Sequence, residues 1–254
     1  ELFKGKSHFG ENVTFDETLP TNYLADEVID DNKVNELLAK KYNETIVIAE
    51  DDSEILAYLK DELSTNFRVI AVNNGYDAVK AVMDDEVSLI LSDVLMPALN
   101  GFQLCSNIKS NIATCHIPIV LLTALSDDNQ RIYGIAEGAD EYIHKPFNMQ
   151  YVRLKIIRII EERKRLASTF AQKFGRLTRH EAANLPCVDD VFRDKLFNLI
   201  EAQHSDSNFK IELMSDMLGM SRILLYRKIT SIFGMSPSDL LRNYRLQKAV
   251  QLLT

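Results

Sequence analysis

Cysteine is scarce in this chain. Its three residues, Cys105, Cys115 and Cys187, are scattered without the close paired spacing of metal-binding or redox-active thiols. The pattern favours a reducing, cytosolic setting with buried thiols over disulfides or a thiolate metal site. Long apolar runs are also missing: the stretch from Ser88–Leu91 into Val94–Met96 is interrupted by Asp93, so none approaches the thickness of a bilayer. The opening Glu1-Leu2-Phe3-Lys4-Gly5 has no secretory-signal pattern. An initiator Met is absent, and Leu252-Leu253-Thr254 falls inside a helical pattern. The expectation is a cytoplasmic piece of a longer protein with no membrane contact of its own. The sequons Asn12-Val13-Thr14 and Asn43-Glu44-Thr45 are then coincidences.

What is present is enough for two domains: 254 residues, 46% hydrophobic and 26% charged. The net charge of −8 is divided along the chain rather than spread over it. Residues 44–150 hold 17 acids against 6 bases, whereas residues 151–181 hold 9 bases against 3 acids. An acidic globule joined to a basic stretch suggests one part that handles a cation and another that approaches an anion.

From Thr45 onward, short β-branched runs alternate with helical patterns. Thr45–Ala49 reads as a buried strand and Ser53–Ser64 as a helix with Ile55, Leu56, Leu59 and Leu63 on one face. Strands follow at Phe67–Val72, Ser88–Ser92, Ile117–Leu122 and Glu141–His144. Helices fall at Gly75–Met83, Gly101–Lys109, Asp127–Glu137 and from Met149. Five βα units of this kind imply an α/β fold, a parallel sheet covered on both faces. The last helix continues through Leu166 to Phe170 and Phe174, either as an ordinary packed helix or as a signalling or dimer stalk. Residues 1–43 read as a linker and residues 166–188 as a linker or extended helix.

Several polar residues stand where strands end: Glu50-Asp51, Asp93, Thr123 and Lys145. In a parallel sheet those ends share one edge, and sites form there. Crowded carboxylates repel one another unless a cation neutralises them, and a hard, oxygen-preferring dication such as Mg²⁺ suits the set. A carboxylate can attack phosphorus to form an acyl phosphate, while an ammonium and a hydroxyl balance the phosphoryl oxygens. Asp52 fits the start of the next helix. Each residue alone has a plainer reading as a turn, cap or surface group; their joint placement is what carries the argument.

The strings Ile48-Ala49-Glu50-Asp51-Asp52, Ser92-Asp93-Val94-Leu95-Met96-Pro97, Leu122-Thr123-Ala124 and Tyr142-Ile143-His144-Lys145-Pro146-Phe147 resemble the signature of bacterial response-regulator receiver domains. The resemblance covers residues 44–165. It implies a five-stranded, doubly wound, flavodoxin-like parallel sheet with Asp93 as phospho-acceptor. Glu50, Asp51, Asp93 and the Leu95 carbonyl would hold Mg²⁺, Lys145 and Thr123 would assist, and Thr123 with Tyr142 would form a switch pair. Glu50 stands where the family commonly has Asp, and keeps the charge. A cis Lys145-Pro146 bond is implied as well.

Beyond Leu185-Pro186 the pattern is all helical. Phe192–Ala202 is amphipathic, Ile211–Leu218 is short and ended by Gly219, and Ser221 caps a helix running to Phe233-Gly234. Ser236-Pro237-Ser238-Asp239 opens a further helix. Two short helices about a glycine turn make a helix-turn-helix pattern. On its second helix, Leu225, Ile229 and Ile232 are spaced for the core. Arg222, Ile223, Tyr226, Arg227 and Thr230 are the candidate DNA contacts. A plain helical bundle with a basic face is the alternative. The strings Leu213–Arg222, Leu225-Tyr226-Arg227-Lys228-Ile229 and Gly234-Met235-Ser236-Pro237 resemble the first half of an AraC-type DNA-binding domain, over residues 189–254.

The opening Leu2-Phe3-Lys4-Gly5-Lys6-Ser7-His8-Phe9 is similar to the run after the ATP-binding domain of hybrid two-component sensors. Those resemblances imply the output end of a hybrid histidine kinase. Its parent chain would be anchored in the inner membrane, its phosphohistidine would load Asp93, and DNA and a second copy would be its partners. The stretch itself would carry no ATP site. The competing readings are a stand-alone response regulator, a receiver scaffold or phosphorelay protein without DNA binding, and a metal-dependent phosphatase.

Overall fold

The computed structural model describes residues 31–123, 138–174 and 189–253. The helix expected at Asp127–Glu137, Ala124, the break at Leu185-Pro186, Cys187 and the opening segment lie outside those residues.

Five parallel strands, β1 (Thr45–Ala49), β2 (Arg68–Val72), β3 (Leu89–Asp93), β4 (Ile119–Thr123) and β5 (Glu141–His144), form one sheet in the order β2-β1-β3-β4-β5. Their apolar runs are continuous because both faces are covered. Ile46, Ile48, Leu89, Leu91, Val120 and Leu122 enter one core. Val47, Ala49, Ile90, Ile119 and Leu121 enter the other. The period of two along each strand thus serves two cores rather than one core and solvent.

On the first face lie α2 (Ser53–Ser64) and the start of a long helix, α5 (Met149–Phe174). On the second lie α3 (Gly75–Asp84) and α4 (Gly101–Ser110). Local chemistry sets the helix starts. Asp52 accepts from the amides of Glu54 and Ile55, which confirms its expected place, and Asn100 with Gln103 forms a reciprocal capping box on α4.

Two expectations change. Residues 31–39, taken as part of a linker, form helix α1 (Asp31–Ala39), whose Leu37 and Leu38 pack on the α2/α5 core. The sequence pattern missed it because the anchor is tertiary: Arg153 on α5 and the buried Asn66 side chain both bond to the Leu38 carbonyl. The second change concerns α5. It runs unbroken for 26 residues, about 39 Å at the helical rise. Its carboxyl half is no free stalk, because Ala167, Phe170 and Phe174 are buried, the two phenylalanines inside the core of the helical segment.

That segment comprises α6 (Asp190–Gln203), α7 (Ile211–Met217), α8 (Arg222–Phe233) and α9 (Pro237–Leu253). Its core gathers Phe192, Leu196, Leu225, Ile229 and Phe233 around Phe170 and Phe174. The α7–α8 turn places Gly219 at φ 69°, in the left-handed region that residues with a Cβ avoid. Ser221 caps α8 and Gly234 ends it, as the sequence pattern predicts. Among the described residues no helix is long and apolar enough to cross a membrane.

Candidate phosphoryl-acceptor site

The register brings the acidic residues together before any side chain is considered. Strands β1 and β3 pair Ile46 with Leu89 and Ala49 with Ser92, so one further step sets Glu50 beside Asp93. Because the sheet order reverses direction between β1 and β3, a crevice opens at their carboxyl ends. Asp51 lies at the mouth of that crevice, on an open concavity of about 660 Å³ also lined by Asn74, Asp77 and Pro97.

Glu50, Asp51 and Asp93 each offer an oxygen, and those oxygens all lie within 4.8 Å of one another. Glu50 and Asp93 are buried, while Asp51 is exposed. Lys145, one residue beyond β5, places its Nζ 2.9 Å from Glu50 Oε2 and 3.3 Å from Asp93 Oδ1. The Val94 amide donates to Asp93 Oδ1 at 2.8 Å. Burial, with Asp93 alongside, pushes Glu50 up to about 6 despite its bond from Lys145. Burial alone would pull Lys145 down, yet Glu50 and Asp93 more than offset it and its pKa rises. Three carboxylates facing one ammonium leave the cluster short of positive charge. A hard dication with oxygen ligands fits that donor set.

Thr123 ends β4 and is buried. Tyr142 pairs with Leu121, two residues before Thr123, so both side chains lie on the α3/α4 face of the sheet. The Leu95 side chain points outward, 58% exposed. The Lys145-Pro146 bond is cis.

Gly101 holds the acceptor loop in place. A Cβ there would meet the Asp93 carbonyl oxygen at 2.4 Å and Val94 Cα at 2.9 Å, both backbone atoms. Gly101→Ala is therefore expected to lower stability by about 1–3 kcal/mol and to slow phosphoryl uptake by displacing Asp93. Urea unfolding and a phosphorylation time course would check it, and unchanged values in both would contradict the packing.

The helical residues named from sequence divide in two. Arg222, Ile223 and Tyr226 are exposed, Arg222 being paired with Glu212 at 3.0 Å. They line an open groove of about 1370 Å³ together with Arg242. Arg227 and Thr230 differ from expectation. Arg227 turns towards the sheet domain, and Thr230 Oγ1 is buried without a hydrogen-bond partner, so neither presents its polar group to solvent.

Sequence reasoning placed Lys228 merely flanking that face, yet it is fully buried. Its Nζ lies 2.6 Å from Asp189 Oδ2, 3.2 Å from Cys115 Sγ and 4.5 Å from the centre of the Phe192 ring, and it donates to the Ile112 carbonyl. The signal was available: position 228 falls three after Leu225 and four before Ile232, on the apolar stripe.

Residues 46–157 match the family described as the response regulator receiver domain. Histidine kinase P4 of Formosa agariphila is 36% identical to this chain over 237 residues, covering 93% of this chain and 17% of that protein. The transcriptional regulatory protein GltR of Pseudomonas aeruginosa is 38% identical over 113 residues, covering 44% of this chain and 47% of that protein. The chain thus spans less than half the length of either relative. Among solved structures, the signal receiver domain of a signal transduction histidine kinase from Syntrophus aciditrophicus is 33% identical, with a TM-score of 0.45, over 47% of this chain and 91% of that one. The sheet order, the crevice and the family match agree: this chain carries a response-regulator receiver domain.

Proposed function

We propose that Asp93 accepts a phosphoryl group from a phosphohistidine and that the helical segment, an AraC-type helix-turn-helix unit in this reading, binds DNA. The meeting of Glu50, Asp51 and Asp93 with Lys145 at one sheet edge is the observation that carries the phosphoryl half. Glu50, Asp51 and Asp93, with the Leu95 carbonyl, would hold Mg²⁺, which supplies charge neutralisation between the carboxylates and the phosphoryl oxygens.

The chain's own residues do the rest. The Val94 amide and Lys145 both approach Oδ1 of Asp93, which leaves Oδ2 as the attacking oxygen. The new Oδ2–P bond forms as the P–N bond to the donor imidazole breaks, its electron pair leaving with the ring nitrogen. The Lys145 ammonium and the Thr123 hydroxyl balance the transferred oxygens, and Thr123 with Tyr142 registers the new charge.

The DNA half rests on the exposed Arg222, Ile223 and Tyr226 of α8 and on the short glycine turn from α7. The likeness to Histidine kinase P4 extends over 93% of this chain, beyond the receiver. It favours a place at the cytoplasmic output end of a hybrid sensor over a stand-alone regulator. A domain division at residues 44–165 and 189–254 fits this reading, with α5 shared between the two cores.

Incubation with acetyl phosphate and Mg²⁺ followed by intact mass measurement tests the acceptor. One phosphoryl adduct is expected on the wild type, with none on Asp93→Ala and none when a chelator removes the metal. An adduct of equal yield on the variant would reject Asp93. Sustained turnover of a phosphomonoester, rather than one adduct per chain, would favour a phosphatase.

A further inference from the structure

The helical segment sits on the amino edge of the sheet, opposite the acidic crevice. Its footprint is the carboxyl end of α3 and the Asn111–Ile117 segment before β4. Arg227 of α8 donates to three successive carbonyls at that end of α3: Met83 at 3.1 Å, Asp84 at 2.7 Å and Asp85 at 2.9 Å. These are the carbonyls that a helix leaves without partners at its carboxyl terminus, where the helix dipole is negative. A guanidinium fork matches such a set as it matches the oxygens of a phosphate. The same contact is reinforced beside it: Lys228 donates to the Ile112 carbonyl, and Ala113 is buried in the helical core.

Alongside these contacts the interface is polar and incompletely filled. His116 is buried with no hydrogen-bond partner for its Nδ1. A cavity of about 40 Å³ lies between His116, Ser88, Leu224 and Ser231. Buried groups that would regain water on separation weaken such a contact, so a competitor for Arg227 can open it.

We propose that the carboxyl end of α3 is a docking site for Arg227 that competes with DNA phosphates for this side chain, so that the docked molecule is the weak DNA-binding form. The proposal rests on the DNA reading above. It assigns regulation to the helix face itself: Arg222, Ile223 and Tyr226 remain exposed while Arg227 is withheld.

The test uses the full chain with Ala113→Glu, which puts a carboxylate into the helical core side of the contact, and separately Ile112→Asp. Undocking is read as faster amide exchange at the carboxyl end of α3 and along α8. Affinity for a fluorescent duplex of mixed sequence is read by anisotropy at low salt. Both variants are expected to expose those amides and to bind the duplex about tenfold more tightly than wild type. Adding Arg227→Ala to either should remove the gain, while acetyl-phosphate labelling of Asp93 shows that the receiver still folds.

Undocking with measurable but unchanged affinity would overturn the competition and leave DNA binding standing. Undocking with no duplex binding by any form would sink the DNA reading, and the proposal with it. If neither variant speeds exchange, the clasp is not what holds α8, and the proposal fails.

Discussion

Replacing Asp189 by Ala is expected to destabilise the helical segment by about 3–5 kcal/mol, because it strands a buried ammonium. Lys228 has no solvent-exposed surface, and Asp189 is its one carboxylate partner among the described residues. Asp189 also caps α6, accepting from the Phe192 amide at 2.9 Å, a contact worth about 1 kcal/mol by itself. Lys228→Met should behave quite differently. It removes the charge rather than its partner and fills the same space with apolar atoms, so a change within about 1 kcal/mol of wild type is expected.

Acid should act through the same pair. Burial alone would raise Asp189, but hydrogen bonds from Cys115, Lys228 and the Phe192 amide bring it below the ordinary carboxylate range. A depressed carboxylate contributes stability that is present above its unfolded pKa and lost as pH falls through the lower folded one. The wild type should therefore lose this contribution on acidification, and Lys228→Met should lose less. Urea unfolding followed through amide exchange of α6 and α8 measures both. A cost for Asp189→Ala below about 1 kcal/mol would mean that water reaches Lys228, contrary to its complete burial.

The second large effect concerns Glu50, whose function opposes stability. Burial first, and Asp93 next, lift it from 4.5 to about 6. Each unit is worth about 1.4 kcal/mol. Since Lys145 and Asp93 titrate in contact with it, about 1–2 kcal/mol is the net penalty expected at neutral pH. The sign follows from the raised pKa. The favourable contribution is complete below about 4.5 and is lost as pH rises through about 6.

Glu50→Gln should therefore raise stability at pH 7 by about that amount and flatten the profile between those two values. It should also cut Mg²⁺-supported phosphoryl uptake by at least roughly 10–100-fold. Thermal unfolding across pH and the acetyl-phosphate assay give the two readouts. A variant that is less stable at neutral pH would show that Lys145 already compensates Glu50 in full.

The sheet domain was legible because its signals are local. Thr45–Ala49, Ser53–Ser64 and Glu141–His144 fall where pattern alone placed them, and the other strands shift by one or two residues at their ends. The acidic crevice was legible for a related reason. Once strands are parallel, the residue after each carboxyl end has its position set, so Glu50 and Asp93 must be neighbours. The helix caps at Asp52, Ser221 and Gly234 were written in single residues.

Helix α1 was not legible, since its polar sequence gains its place only through Arg153 and Asn66. The roles of Arg227 and Lys228 were hidden too. A basic side chain on a short helix has the same sequence signature whether it meets solvent, DNA or a row of carbonyls.

The sequence by itself determined the strand order's ingredients, the helix limits and the identity of the acidic cluster, because periodicity, capping and the end of a strand are properties of a few adjacent residues. Only the tertiary structure decided that α5 joins two cores, that Lys228 is enclosed with Asp189, and that Arg227 ends on the carbonyls of α3. Those contacts pair residues far apart in the chain, and burial and partner choice arise only when the packed surfaces meet.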